Sequence, residues 1–437
     1  MISPETFARY AAMRVPRYTS YPTAPQFSAA IDATECRRWL RSLEDDAPVS
    51  VYLHVPFCRE MCWYCGCHTS VSRRRAPVSR YVKSLVAEIG LVAEEIQCRP
   101  TVGHLHWGGG SPTLLSLGDV ATIRQALGEV FEIDSLGENA VEIDPRTLTE
   151  PLVEAFSRAG VNRASLGVQS FDPVVQAAIN RVQSFDVTAE AVAALRGGGI
   201  PAINFDLIYG LPFQTVRSCV ETVEQALRLQ PDRLAVFGYA HVPSFKPHQR
   251  KIDEAALPGT AERQEQSAAI ADALTGAGYR QIGLDHFALL GDGMAAAAEQ
   301  GRLHRNFQGY TTDCCGALIG FGASAIGRLP GGYVQNSARI PEYERRIGSG
   351  RLAVVRGCRI SEEDSRRGAI IEELMCNFQA EIGAVDASLE QLEADGLIVC
   401  SGDRIEVTEQ ARPLVRAVAA AFDAYLPQSE ARHVAAV

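Results

Sequence analysis

Four cysteines within ten residues are the first chemistry the sequence offers. Cys58, Cys62, Cys65 and Cys67 follow the spacing C-x3-C-x2-C-x-C, directly after a short apolar run at 51–56 that reads as a strand. Thiolates ligate iron–sulfur clusters and zinc alike. Three cysteines at x3 and x2 spacing can wrap one cubane and bind three of its irons, leaving the last open to a substrate or cofactor. A structural zinc site usually draws on paired C-x2-C units from two loops, and there is no second such unit. A redox thiol loop is the third reading. The spacing favours a [4Fe–4S] cluster and leaves all three open.

The other eight cysteines (Cys36, Cys98, Cys219, Cys314, Cys315, Cys358, Cys376 and Cys400) are scattered through 437 residues. Disulfide frameworks belong to small secreted domains, and residues 1–14 hold no apolar stretch resembling a secretion signal. With 46% hydrophobic and 22% charged residues the composition is globular, which excludes disorder, collagen and a coiled-coil rod. There are 42 Lys+Arg against 52 Asp+Glu, a net charge of −10. An acidic surface repels a phosphate backbone, so nucleic acid is not an expected partner. No run of 18 apolar residues is present, so no membrane span is expected. The expectation is a soluble, cytoplasmic, monomeric protein of about two or three domains.

The elements that must position the cysteines recur in a pattern. Short segments rich in Val, Ile, Leu and aromatics lie at 51–56, 104–110, 140–145, 163–169, 203–210 and 233–243. Stretches with helical apolar spacing separate them, among them 81–96, 152–159, 187–195 and 218–229. This β-α alternation predicts an α/β fold with a parallel sheet and crossover helices. The strand ends meet, in order, the cysteine cluster, the glycines 108–110, Glu142 with Asp144, Gln169, Asp206, and Tyr239 with His241. Polar groups and glycines at successive C-terminal strand ends are what a βα-barrel mouth needs. Six units are found and not eight, so an open, six-unit (βα)6 partial TIM barrel is expected over 47–335. Residues 1–46 form an N-terminal extension, in which the prolines of 15–22 disfavour a helix. A mainly helical C-terminal domain is expected over 336–437, with helices at 363–381, 386–395 and 408–426 and a small hairpin at 397–407 around Gly402.

C-x3-C-x2-C after the first strand of a βα-barrel resembles the radical S-adenosylmethionine (SAM) superfamily. The likeness extends to VPRYTSYPTA from Val15, HVPFCREMCWYCGC from His54, LHWGGGSPT from Leu105 and VEIDPR from Val141. It continues through RASLGVQSFD from Arg163, NFDLIYGLPFQT from Asn204, FGYAHVP from Phe237 and LHRNFQGYTT from Leu303, with CNF at 376–378. Together, in this order, these motifs are similar to the oxygen-independent coproporphyrinogen III oxidases over nearly the whole chain. The resemblance implies that one electron from the cluster cleaves SAM to methionine and a 5′-deoxyadenosyl radical. That radical removes a hydrogen from the β-carbon of a propionate, and carbon dioxide and an electron leave. Two propionates of coproporphyrinogen III become vinyl groups, giving protoporphyrinogen IX. An electron donor and an electron acceptor, both unidentified, are implied as further partners.

By resemblance, Cys58, Cys62 and Cys65 are the cluster ligands, and Cys67 is a cysteine that is no ligand but accompanies activity. Cys67 also separates the enzymes from heme-chaperone relatives, which tend to lack it. A triple glycine alone reads first as a tight turn; the family uses Gly109, Gly110 and Ser111 to hold SAM. Glu142 is an acid on an apolar strand, where a carboxylate is costly unless paired, and by resemblance it meets SAM. Gln169 and Asp206 suit ribose hydroxyls. Arg181, which alone reads as surface, suits a methionine carboxylate. Tyr52, Tyr64, Ala240 and Ile326 match further contacts, divided between two SAM molecules. For the substrate's propionates the basic candidates are Arg17, Arg73 to Arg75, Arg80, Arg250 with Lys251, and His304 with Arg305; charge runs are usually solvated surface. One departure stands out: where the family usually has an acidic residue after YTT, this chain reads Asp313-Cys314-Cys315-Gly316, which bears on the second SAM pocket or the substrate lid. The alternatives are a heme-binding chaperone and a radical SAM enzyme acting on another tetrapyrrole.

Overall fold

The computed structural model describes residues 2–383 and 389–426. The chain divides into two compact units, Ser28–Ala273 with Cys315–Arg359, and Met1–Phe27 with Leu274–Cys314 and Ile360–Val437. Both are assembled from separated stretches, whereas the boundaries expected at 46 and 335 cut the chain into consecutive blocks.

The first unit is built on apolar strands covered on both faces, as parallel sheets require. Six strands, β1 (Val49–Val55), β2 (Thr101–Gly109), β3 (Glu132–Ile143), β4 (Arg163–Gln169), β5 (Ala202–Tyr209) and β6 (Arg233–Gly238), lie side by side in chain order and all parallel. Helices α1 (Arg75–Ala93), α2 (Leu117–Val130), α3 (Glu150–Arg158), α4 (Phe185–Gly197) and α5 (Val216–Leu227) alternate with them. Side-chain caps start several of these helices: Ser116 with Asp119 before α2 and Thr215 with Ser218 before α5 form reciprocal capping boxes. Within the sheet, Glu138 of β3 receives Arg163 (3.0 Å) from β4 and Arg233 (3.1 Å) from β6. Burial opposes ionisation of Glu138, and the two guanidinium groups outweigh it.

The arc of six does not stop at β1. A seventh strand, β7 (Ala317–Phe321), runs parallel to β1 on its free side. Beyond it β8 (Ile326–Leu329), β9 (Gly332–Asn336) and β10 (Val354–Arg359) continue antiparallel. Between 337 and 359 the chain holds the helix Ile340–Gly348 and then β10, and the helices expected beyond 335 begin after that strand. The strands are short and carry glycines where neighbours approach closely. A side chain on Gly332 (φ +145) would begin 2.1 Å from the Cys358 carbonyl oxygen.

The second unit mixes helix and sheet. Its core joins Tyr10, Val15, Tyr18 and Tyr21 to residues between Ile370 and Phe422. The N-terminal Pro/Tyr stretch is therefore core: Tyr18 Oη donates to Asp423 (3.1 Å), and Tyr21 Oη accepts the Ala424 N–H (3.0 Å). The helix expected at 363–381 is Glu362–Asn377. The expected hairpin is present as Ile398–Ser401 and Arg404–Val407, with Gln379–Glu381 as a third strand. Glu390–Ala394 covers part of the helix expected at 386–395, whose residues 386–388 lie outside the described ones. The helix expected at 408–426 is present as three consecutive short pieces, a tight helix at Glu409–Leu414 with Pro413 inside it, Val415–Ala419 and a last tight turn at Ala420–Phe422.

Back in the first unit, one carboxylate is buried where the helices meet the added strands. Glu88 of α1, 2% exposed, accepts from Tyr343 Oη (2.7 Å), Gly322 N (2.7 Å) and Asn336 Nδ2 (2.6 Å). Burial, partly offset by these donors, raises it from 4.5 to about 7. The folded state thus keeps a proton that the unfolded chain releases at lower pH, so stability falls as pH rises between these values. The fall amounts to at most about 3 kcal/mol. Denaturant unfolding at pH 5 and pH 8 should show it, and Glu88→Gln should flatten it; an equal slope in the variant would assign the effect to another group.

Candidate active site

β1 delivers the chain to Pro56, and the cysteines follow at once. A two-residue parallel pairing of Phe57–Cys58 with Ser70–Val71 ties the two ends of the loop together. Between them the main chain has no ladder of its own, so its polar groups must find partners elsewhere. On one side, Trp63 N–H donates to Ile179 O (2.9 Å) and Asn180 Nδ2 to Met61 O (2.9 Å). On the other, residues after β6 reach across: Gln249 Nε2 donates to Tyr64 O (3.0 Å), His248 Nε2 to Cys65 O (2.8 Å) and Lys246 Nζ to Cys67 O (3.0 Å). Gln249 is 1% exposed. It also donates to Ala240 O (3.2 Å) and accepts the Val242 N–H (2.6 Å), fixing the exit of β6 to the cysteine loop.

The thiols differ in surroundings. Cys62 is buried with two guanidinium groups beside its sulfur, Arg181 Nη1 at 3.6 Å and Arg146 Nη2 at 3.7 Å. Asp144 holds Arg146 (2.7 Å) and lies 3.5 Å from Arg181. Burial pushes Cys58 up to about 12 despite Thr69 Oγ1 at 3.1 Å. A hydrogen bond from Cys67 brings Cys65 down to about 7 against burial, helped by Lys246 and Arg181. The same bond raises Cys67. Among the described residues, no three His, Cys, Asp or Glu side chains close around one point as they would around a single metal ion. The ligands of a multi-iron cluster each take a different iron. Soft sulfur donors flanked by cations suit an anionic thiolate-bound cluster.

Glu142 lies deep in the barrel yet keeps 35% of its side-chain surface, so it faces an internal space. His106 Nε2 (3.1 Å) and the Gly109 N–H (3.0 Å) meet its oxygens. Burial disfavours its charge, and His106 and Gly109 more than compensate, holding it below the usual carboxylate range. His54 Nε2 faces His68 O at 2.9 Å and must be the donor there, which leaves Nδ1 to accept from Tyr52 Oη (2.9 Å). Tyr52 also stacks on His106, ring centres 5.8 Å apart. The room left by Gly108 is taken by Glu142, and that left by Gly109 (φ +112) by the His54 ring. These glycines therefore admit protein groups first. Gly110 N–H donates to Val55 O (2.8 Å) and Ser111 N–H to Phe57 O (2.7 Å). Ser111 Oγ is buried against Thr113 Oγ1 at 2.5 Å, so its hydroxyl already has a partner.

The remaining expected residues come to the same mouth. Arg181 Nη2 donates to Gly167 O (2.6 Å), while its Nε is buried without a hydrogen-bond partner. Gln169, at a left-handed φ of 69°, crowds the same face of Gly167 as Arg181. Asp206 accepts from Asn204 Nδ2 (2.9 Å) and Ser165 Oγ (3.1 Å). Tyr64 packs against Val175, Ile179 and Tyr239. Ala240 follows the end of β6, and Ile326 opens β8 after the turn that leaves β7. The expectation for Cys315 is corrected: its sulfur lies 3.2 Å from where a side chain on Gly103 would begin, near the N-terminal end of β2 and opposite the mouth. Arg146, His106, Asn180 and Gln249 escaped the sequence reading. Arg146 was visible only as the last letter of VEIDPR. Gln249 sits in Pro247–Lys251, whose basic residues read as solvated surface.

The fold and site define a radical SAM protein. The Radical SAM superfamily model matches residues 52–226, from β1 to α5. Oxygen-independent coproporphyrinogen III oxidase from Bradyrhizobium diazoefficiens is 54% identical, aligned over 98% of this chain and 98% of its own. The Pseudomonas aeruginosa protein of that name is 40% identical over 94% of each. The structure of coproporphyrinogen III oxidase (HemN) from Escherichia coli, a radical SAM enzyme, superposes with a TM-score of 0.89 at 34% identity. It covers 94% of this chain and 100% of that one. The chain belongs to the oxygen-independent coproporphyrinogen III oxidase family, whose superfamily chemistry uses a [4Fe–4S] cluster and SAM.

Gln249→Leu strands the buried N–H and carbonyl groups of Tyr64, Ala240 and Val242 and should lower stability by about 2–4 kcal/mol. Iodoacetamide labelling of Cys58, Cys62 and Cys65 in iron-free protein should quicken on the order of tenfold. Unchanged labelling would mean that the loop is held without this residue.

Proposed function

We propose that the chain converts coproporphyrinogen III to protoporphyrinogen IX by oxidative decarboxylation of two propionate side chains. The observation that carries this reading is the meeting, at one barrel mouth, of three spaced thiols, an ionised Glu142 facing an internal space, and a buried Arg181 with an unused donor. Cys58, Cys62 and Cys65 would hold three irons and leave the fourth open. When bound, the cluster and SAM supply the one-electron chemistry that takes a hydrogen atom from the propionate β-carbon, after which carbon dioxide and an electron leave and a vinyl group remains.

The chain's own residues orient and shield. Glu142, kept charged by His106 and Gly109, suits a cationic amino group. Arg181, with its proton secure and its Nε free, suits a carboxylate. Gln169 and Asp206 suit ribose hydroxyls, and Tyr52, Tyr64, Gly109, Gly110, Ser111, Ala240 and Ile326 complete the contacts to two SAM molecules. For Ser111 the main chain is the better candidate, since its hydroxyl is committed to Thr113. Cys67, hydrogen-bonded to Cys65, suits the role of a proton or hydrogen donor. An electron donor, an electron acceptor, a monomeric state and a cytoplasmic setting belong to the same reading. Among the described residues no helix is long and apolar enough to cross a membrane.

The test is anaerobic turnover of iron-reconstituted protein with SAM, a reductant and coproporphyrinogen III. Protoporphyrin after oxidation, with 5′-deoxyadenosine formed and both lost in Cys62→Ala, is the expected result. A drop of at least about a thousandfold is expected in that variant. Formation of 5′-deoxyadenosine with coproporphyrinogen left intact would overturn the substrate and keep the radical chemistry; heme would then be tried as ligand and as substrate.

A further inference from the structure

The three sulfurs of the cysteine loop meet donors of graded strength. Cys58 Sγ has the Thr69 hydroxyl at 3.1 Å, and Cys65 Sγ has the Cys67 main-chain N–H at 3.3 Å, both neutral groups. Cys62 Sγ has two guanidinium ions, Arg181 Nη1 at 3.6 Å and Arg146 Nη2 at 3.7 Å. A charged donor is worth roughly twice a neutral one, so the strongest polar influence in the loop falls on one sulfur.

The two arginines are not equivalent. Arg181 donates from Nη2 to Gly167 O (2.6 Å) and keeps a buried Nε without a partner, the feature that suits it to a carboxylate. A carboxylate arriving there would cancel its charge. Arg146 is held by Asp144 instead: Nε donates to Oδ1 (2.9 Å), Nη2 to Oδ2 (2.7 Å), and the main-chain N–H to Oδ1 (3.1 Å). Both residues stand at the turn directly after β3, with Pro145 between them. The turn needs only the main-chain N–H bond, so the side-chain fork is more than local structure requires. Nη2 has two hydrogens, one for Asp144 and one for Cys62.

Donor and sulfur are both fixed. The Cys62 carbonyl accepts the Cys65 N–H (3.2 Å), and the following N–H, of Trp63, donates to Ile179 O (2.9 Å). Only 20% of the Arg146 side chain and 16% of that of Asp144 is exposed, so water screens the group weakly. Reduction adds one negative charge to a thiolate-bound core, and a hydrogen-bonding cation on a ligand sulfur stabilises the reduced state more than the oxidised one. We propose that Arg146 sets the reduction potential of the cluster, raising it through a standing bond to Cys62 Sγ that persists when Arg181 is taken up by a carboxylate. This rests on the reading of Cys58, Cys62 and Cys65 as cluster ligands and not on the identity of the substrate.

The test uses the full chain reconstituted anaerobically with iron and sulfide, without porphyrin, in a redox titration read by the electron paramagnetic resonance of the reduced cluster. Arg146→Met should lower the ratio of reduced to oxidised cluster at a given potential about tenfold, a downward shift of about 59 mV for one electron, with iron content unchanged. Arg146→Lys keeps the charge and should fall between the two; it carries the test if the methionine variant fails to fold. Arg158→Met, on the exposed face of α3, should leave the potential unmoved. An unmoved potential in both Arg146 variants, or an equal shift in Arg158→Met, overturns the inference. Loss of iron with the remaining cluster at its wild-type potential also overturns it, since a structural brace alone would do that. The two assignments fail separately. A shifted potential in a protein that leaves coproporphyrinogen III intact keeps this role for Arg146 and removes the substrate. Turnover with an unmoved potential keeps the reaction and removes the role.

Discussion

A loop that carries four thiols in ten residues cannot satisfy its own main chain, and much of the site follows from that constraint. Regular structure would carry the cysteines in fixed directions; an irregular loop lets them point inward but leaves carbonyls that burial makes expensive. The protein meets them from two sides, with Asn180 and Ile179 after β4 and with Lys246, His248 and Gln249 after β6. The loop is thereby a bridge between strand ends that are distant around the arc. Its geometry depends on both, so the barrel curvature and the thiol positions are one property.

Charge at the mouth obeys a similar economy. The chain is acidic overall at −10, but around Cys62 the immediate groups are two guanidinium ions and one carboxylate, Asp144. A cation pair beside a sulfur offers the opposite charge to an anionic thiolate-bound metal or cluster. Asp144 keeps the two arginines close to each other despite their like charge. Glu142 is tuned in the opposite sense: two donors hold its charge while its surface stays open to the interior. Open but charged groups of both signs, deep in a barrel, suit a zwitterionic ligand.

Much of this was legible in the sequence because it is local. The strands β1 to β6 announce themselves as apolar runs at regular intervals between helical patterns, and ligand spacing is a property of one loop. The strands β7 to β10 did not, since they are four to six residues long and join a sheet whose first strand lies some 260 residues earlier, at Val49. Gly327, Gly332 and Gly357 work there by what their neighbours do, which no window of sequence contains. Gln249 was hidden for the same reason. Its neighbours Arg250 and Lys251 suggest water, and only the fold reveals that the residue between His248 and Arg250 is sealed.

Glycine shows how a motif and its physical cause can part company. The triple glycine at the end of β2 resembles a ligand cradle, yet Gly108 and Gly109 are small because Glu142 and the His54 ring occupy the space that side chains would fill. A substitution at either would strike the very groups that face the interior. The glycines thus shape the mouth by letting an acid and an imidazole stand where they do. The main-chain N–H of Gly109, spent on Glu142, belongs to the same arrangement. The motif shapes the mouth through the charge state of a carboxylate and not through bare space.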